Sequence, residues 1–195
     1  IVPHCADVFA RLVEEAGAPQ GAWTSLFISN EQVADLIADP RVQGVALTGS
    51  ERAGSAVAEQ AGKHLKKSTL ELGGNDVFVV LDDADIDEAV RQGAQARLSN
   101  CGQVCTAAKR FILHEKIASE FMAKFSAALQ SATPGDPLDE KTTLGPLSSK
   151  DARDRLVKQV DDAVKQGARV EFGGKAIEGV GCYYQPTILT GLTPD

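Results

Sequence analysis

Long apolar runs are missing from this sequence. No stretch approaches the roughly 18 to 20 apolar residues that a spanning helix needs, which excludes an integral helical membrane protein. An excess of basic charge is missing too. The 20 Lys and Arg stand against 27 Asp and Glu, a formal charge of −7, whereas a nucleic-acid binder needs a basic face for phosphate. Cysteine is sparse: four residues at irregular intervals do not make a disulfide framework, and a reducing cytoplasm is the expected compartment. The opening Ile1-Val2-Pro3-His4 has neither the basic n-region nor the apolar h-region of a leader, and Leu192–Asp195 reads as a turn-like tail. What is present is ordinary globular usage, 43% hydrophobic and 24% charged over 195 residues. That is enough chain for one full domain, or parts of two, with a core.

Periodicity gives an alternating pattern. Asp7 to Ala16 reads as a helix stopped by Gly17, and Glu31 to Ala38 as another that ends before Pro40. Trp23 to Ile28, Gly44 to Leu47 and Ser68 to Leu72 read as strands, the second of them buried, with a helix running to Ala61 between the last two. After Gly73-Gly74 the pattern restarts. Val77 to Leu81 is a continuous apolar run, as in parallel strands covered on both faces. Asp85 with Glu88 opens a helix to about Ala96, and Arg110 to His114 reads as a strand. Ile117, Phe121, Phe125 and Leu129 make one helical stripe, and Leu156, Val160 and Val164 another. Residues 134–146 read as loop, with strands at Arg169 to Phe172 and Tyr184 to Leu189. Strands alternating with helices predict an α/β fold with a parallel sheet, and the double glycine is the natural boundary between two units.

Three segments carry candidate chemistry. Ser99-Asn100-Cys101-Gly102-Gln103-Val104-Cys105-Thr106 falls between a helix and a strand, where a loop presents a side chain to a cleft. A cysteine there is a candidate nucleophile, which attacks as thiolate; the alternative is a pair of small buried residues. A zinc site is disfavoured, because neither the other cysteines nor the three histidines complete a ligand set. In Leu70-Glu71-Leu72-Gly73-Gly74 a carboxylate between two leucines is open to desolvation, which suits a general base; the alternative is a solvated strand end. In Thr48-Gly49-Ser50-Glu51-Arg52-Ala53-Gly54 a strand turns into a helix whose free N–H groups suit phosphate, although the spacing is neither GxGxxG nor a P-loop.

In this order the three segments resemble the NAD(P)-dependent aldehyde dehydrogenase superfamily. The matching stretches are Leu47-Thr48-Gly49-Ser50 with Gly54, then Leu70 to Gly74, then Asn100-x-Gly102-Gln103-x-Cys105. Flanking segments agree, among them Gly135-Asp136-Pro137, Leu144-Gly145-Pro146 and Tyr184-Gln185-Pro186-Thr187, and the wording is nearest to bacterial succinate-semialdehyde dehydrogenase-like members. The resemblance implies a Rossmann-like part, residues 1–74, as the later half of a dinucleotide-binding domain. Residues 75–195 would be part of the α/β catalytic domain of the aldehyde dehydrogenase fold. It implies oxidation of an aldehyde, a semialdehyde among the options, to a carboxylic acid. Cys105 would attack to form a thiohemiacetal and then a thioester, and Glu71 would activate the water that releases the acid. Thr48, Gly49, Ser50 and Gly54 would lie near the phosphates of NAD or NADP, and Leu72 near the nicotinamide. Cys101 falls at a variable position of the motif and would be a bystander.

The resemblance also implies segments that these residues do not contain: a Pro-Trp-Asn stretch, a Glu-x-Phe-Gly-Pro stretch and an oligomerisation strand. The chain would then be an internal piece of a longer, homo-oligomeric cytoplasmic enzyme with a small-molecule aldehyde as substrate and neither nucleic acid nor membrane as partner. By itself it would be inactive. Ser99 stands where semialdehyde enzymes carry an arginine, and Arg97 has two readings, a residue that reaches a substrate carboxylate or, the one favoured, a solvated helix-end residue. Two other readings stay open: a coenzyme-A-acylating relative, against which Glu71 argues, and a catalytically inert binding relative. A cysteine protease lacks a histidine partner, since His114 falls on a strand leading away.

Overall fold

Residues 3–193 are described by a computed structural model, in which the chain divides into two units, Ile1–Gly73 and Gly74–Asp195. Part of the turn-like tail, residues 194 and 195, lies outside the described residues, as do residues 1 and 2 of the opening.

The first unit contains α1 (Pro3–Glu15), α2 (Asn30–Ala38), β1 (Gly44–Thr48), α3 (Glu51–Lys63) and β2 (Lys67–Glu71). Local chemistry fixes the helix ends. Ser29 Oγ accepts from the Gln32 N–H at 3.4 Å while Gln32 Oε1 accepts from the Ser29 N–H at 2.8 Å, a reciprocal capping box. At the other end Asp39 is extended, as a residue before proline must be, and α2 stops there. Strands β1 and β2 pair in parallel from Gly44 opposite Lys67 to Thr48 opposite Glu71. Ile37 and Ala61 are buried in this unit.

Two expectations fail here. Trp23 to Ile28 forms no strand: the segment lies along α1, with Trp23 edge-on to Phe9 at 4.8 Å and Ser25 Oγ donating to the Ala6 carbonyl. A strand needs a partner ladder, and the only sheet described in this unit is β1 with β2. Strand β1 is not buried either; its residues alternate between exposed and half-buried.

The second unit contains β3 (Val77–Val80), α4 (Ile86–Leu98), a 3-10 turn (Ser99–Gly102), β4 (Arg110–Leu113), α5 (Glu115–Gln130), α6 (Lys150–Lys165), β5 (Arg169–Phe172) and β6 (Ile188–Thr190). Strands β3 and β4 pair in parallel, with α4 in the crossover, and β5 pairs antiparallel with β6. The core is the stripe of α5: Ile117, Phe121, Phe125 and Leu129 pack with Val80, Val90 and Ile188. Phe121 and Phe125 stack at 5.3 Å, and Phe111 meets Phe125 at 4.7 Å. Phe121 is fully buried. Phe121→Ala is expected to cost about 3–5 kcal/mol through lost transfer energy and the cavity left behind, read as a lower urea midpoint at unchanged slope.

Three corrections apply to this unit. Val77 and Val79 are exposed while Phe78 and Val80 turn inward, so β3 is covered on one face only. The strand expected at Tyr184 to Leu189 is confined to Ile188–Thr190. Pro186 has no N–H for a ladder, and Thr187 Oγ1 is engaged with the Gly174 N–H and the Gln185 carbonyl, leaving Tyr184 an isolated bridge to Ala176. His114 is not a strand residue but the N-cap of α5, its Nδ1 accepting from the Lys116 N–H. Among the described residues no helix is long and apolar enough to cross a membrane.

Candidate active site

In the second unit the candidate site begins where α4 ends. Ser99 is extended, and the next three residues, Asn100, Cys101 and Gly102, all have left-handed backbones, with φ of 48°, 56° and 74°. A non-glycine residue in that region costs on the order of 1–2 kcal/mol, so two in succession need anchoring. They have it. Asn100 Nδ2 donates to the Gln103 carbonyl at 3.3 Å, and Gln103 returns both its N–H and its Nε2 to the Asn100 carbonyl. Gln103 Oε1 also accepts from the Ser148 N–H at 2.8 Å, tying the turn to the long loop that follows α5.

Arg97 completes the anchoring. It is not the solvated helix-end residue expected: the guanidinium is half-buried, Nη2 donates to the Gly102 carbonyl at 2.6 Å and Nη1 to the Ala108 carbonyl at 3.0 Å. Burial lowers the Arg97 pKa from its ordinary value. Gly102 is required twice over, by its positive φ and because a Cβ there would overlap the Arg97 guanidinium, within 2.7 Å of Cζ.

Cys105 is exposed on the loop that this turn launches. Among the described residues its backbone N–H has no hydrogen-bond partner, leaving a donor beside the thiol. The far end of the loop is fixed to the start of β3, since the N–H groups of Lys109 and Arg110 both donate to the Asp76 carbonyl at 3.0 Å. Cys101 is different. Its Sγ donates to the Gly145 carbonyl at 3.1 Å, and burial pushes its thiol pKa up, which keeps it protonated. A cleft of about 580 Å³ in this unit is lined by Cys101, Arg97, Lys109, Gly145, Tyr184 and Thr187, among others; the Tyr184 hydroxyl is buried with no hydrogen-bond partner. Among the described residues no cluster of His, Cys, Asp and Glu could hold a metal ion.

The remaining candidates fall in the first unit, which brings them into two groups. Thr48 and Glu71 are register partners, and the Gly49 N–H donates to the Glu71 carbonyl at 2.9 Å. Gly54 is buried on α3 against Leu72, whose Cδ2 lies 2.7 Å from where a Cβ would stand, so glycine at 54 makes room for Leu72. Glu71 is exposed at the strand end; the desolvation suggested by its leucine neighbours is not found. Ser50 caps α3, with Oγ accepting from the Ala53 N–H, and the Glu51 carboxylate lies beside Gly73. The first-turn N–H groups of Glu51 and Arg52 have no partner among the described residues, and Arg52 is exposed. Free amides at a helix start fit the phosphates of a dinucleotide.

Sequence reasoning missed the anchoring of the turn. Asn and Gly at 100 and 102 are the residue types that tolerate left-handed backbone, a readable signal; nothing in the sequence marks the inward course of Arg97.

The sequence model described as the aldehyde dehydrogenase family matches residues 1–195. A succinate-semialdehyde dehydrogenase (NADP(+)) of Deinococcus radiodurans is 49% identical over 195 residues, 100% of this chain and 41% of that protein. The succinate semialdehyde dehydrogenase (NAD(P)+) Sad of Escherichia coli is 48% identical over 194 residues, covering 42% of its length. Among solved structures, the succinic semialdehyde dehydrogenase of Streptococcus pyogenes in complex with NADP+ has a TM-score of 0.94 at 49% identity, covering 98% of this chain and 42% of that one. The chain thus spans about two fifths of the length of the relatives it matches.

Proposed function

The chain belongs to the aldehyde dehydrogenase family, and from that premise we propose that it carries the nucleophile, the base and part of the cofactor site of an enzyme that oxidises an aldehyde to its carboxylic acid with NAD or NADP. The observation that carries the reading is Cys105: an exposed thiol on an anchored loop, with an unengaged backbone N–H beside it. Cys105 Sγ adds to the aldehyde carbon, and the resulting oxyanion takes the Cys105 N–H as donor. The dinucleotide, when bound, supplies the hydride acceptor that turns the thiohemiacetal into a thioester. Thr48, Gly49, Ser50 and Gly54 with Leu72 belong to its site; the free amides of α3 and Arg52 support that assignment. Glu71 then takes a proton from water, which attacks the thioester and frees Cys105. An exposed carboxylate at a strand end is accessible to water, as that role requires.

The substrate class we propose is a semialdehyde, supported by the names of the relatives nearest half-identical in sequence. A reducing cytoplasm belongs to the same reading, because the chemistry needs Cys105 as a free thiol. So does a longer parent, since the relatives extend well past the matched span, and a homo-oligomeric state is part of the same proposal. The test is reduced-nicotinamide formation from NAD+ and from NADP+ with succinate semialdehyde and with an uncharged aldehyde of equal length. The enzyme at the full length of its relatives should turn over the semialdehyde with the higher kcat/KM, and the 195-residue chain should turn over neither. No aldehyde-dependent signal from the long form would overturn the reading.

A further inference from the structure

The loop bearing Cys105 has an unusual lining. Lys109 Nζ donates to three backbone carbonyls, those of Cys105 at 2.9 Å, Ala107 at 3.0 Å and, at the long end, Val104 at 3.4 Å. An ammonium has three protons, and all three go to the loop. Arg97 holds the carbonyls of Gly102 and Ala108. Among the described residues neither cation has a carboxylate partner, so both charges are spent on main-chain oxygen.

We propose that Lys109 and Arg97 are positioning residues for Cys105: by drawing the carbonyls of residues 102, 104, 105, 107 and 108 inward they turn the Cys105 and Thr106 N–H groups outward as an oxyanion site. The geometry follows from the peptide bond. The peptides here are trans and planar, so a carbonyl and the N–H of the next residue point in opposite directions. With the Val104 carbonyl on the ammonium, the Cys105 N–H faces away from it; with the Cys105 carbonyl on the ammonium, so does the Thr106 N–H. Neither N–H finds a protein acceptor among the described residues. Two adjacent outward amides beside a thiol meet the requirement for holding a tetrahedral oxyanion, donors fixed before the reaction rather than recruited during it. Charge-assisted bonds suit this task, since they are roughly twice as strong as neutral ones and keep a loop from relaxing.

This assignment rests on Cys105 being the nucleophile, but its test does not need turnover. Amide hydrogen exchange at the bonded amides of residues 103, 107, 109 and 110 and the rate of Cys105 alkylation by iodoacetamide are measured on the 195-residue chain as wild type, Lys109→Met, Lys109→Arg and Arg97→Met, with exposed Cys5 as internal reference. Lys109→Met is expected to speed loop exchange by roughly tenfold or more, the effect of losing bonds to a charged donor. It should also change Cys105 alkylation relative to Cys5, and Lys109→Arg should restore both in good part. Arg97→Met is the second, independent variant and should loosen the Gly102 end. Loop exchange that stays at the wild-type rate in both methionine variants would overturn the proposal, as would a Lys109→Arg protein no closer to wild type than Lys109→Met. In the full-length enzyme the same Lys109→Met change should lower kcat far more than it changes KM. An intact loop effect in an enzyme without aldehyde activity would overturn the reaction assigned above and leave the positioning role standing.

Discussion

Cys105→Ala in the full-length enzyme is expected to lower aldehyde-dependent kcat by at least about a thousandfold, because removing the nucleophile removes the covalent route entirely. Cofactor affinity should be unchanged, since the substitution alters none of the residues proposed to hold the dinucleotide. The four cysteines make the experiment specific. Cys101 is engaged with the Gly145 carbonyl and its burial keeps it protonated, Cys182 is half-buried, and only Cys5 and Cys105 are exposed. Iodoacetamide should therefore inactivate the enzyme in step with modification of Cys105. A Cys5→Ser protein should lose activity at the same rate as wild type, because Cys5 belongs to α1 and to no part of the proposed site. Substantial turnover by Cys105→Ala would move the nucleophile elsewhere and remove the basis of the whole assignment. Cys105→Ser is a finer probe: a hydroxyl keeps the shape and the neighbouring N–H but not the thiolate, so it should be nearly as inactive as alanine.

How far the sequence could be read depended on whether the information was local. The stripe Ile117, Phe121, Phe125, Leu129 needed only 3.6-residue periodicity, and all four are buried. Asp85 opens α4 because its side-chain oxygen reaches the Glu88 N–H three residues on, again a local fact. Strands were harder. Trp23 to Ile28 has the right composition and no partner, while Tyr184 to Leu189 is cut short by a proline and by a threonine hydroxyl engaged elsewhere. A strand is a statement about its neighbour, and composition does not contain the neighbour. The candidate site divides the same way. Cys105, Glu71 and the Thr48 to Gly54 turn were proposed from motif, whereas the parts that fix the loop, Arg97 bound to carbonyls five and eleven residues away and Lys109 bound to three at once, are long side chains whose course only the fold displays.

Glu71→Gln should separate the two halves of the reaction. Glutamine keeps the size and exposure of the side chain at the end of β2 and leaves the backbone bond from the Gly49 N–H to the residue-71 carbonyl untouched, so the strand and the neighbouring helix start should survive. What is lost is the capacity to accept a proton from water. In the proposed sequence that proton is needed only when the thioester is hydrolysed, after the substrate has been oxidised. Steady-state turnover should therefore fall by about 10²- to 10⁴-fold, the usual worth of a positioned base. A rapid burst of reduced nicotinamide, about one per active site, should persist and then stop. Mass spectrometry of the stalled protein should find the acyl group on Cys105. Hydroxylamine, a nucleophile that needs no general base, should release it and restart turnover. Loss of the burst along with the steady rate would mean that Glu71 acts before the thioester forms, on the Cys105 thiol itself. A burst of normal size followed by normal turnover would mean that another group activates the water, and the carboxylate at 71 would revert to what its exposure alone suggests, a solvated strand end.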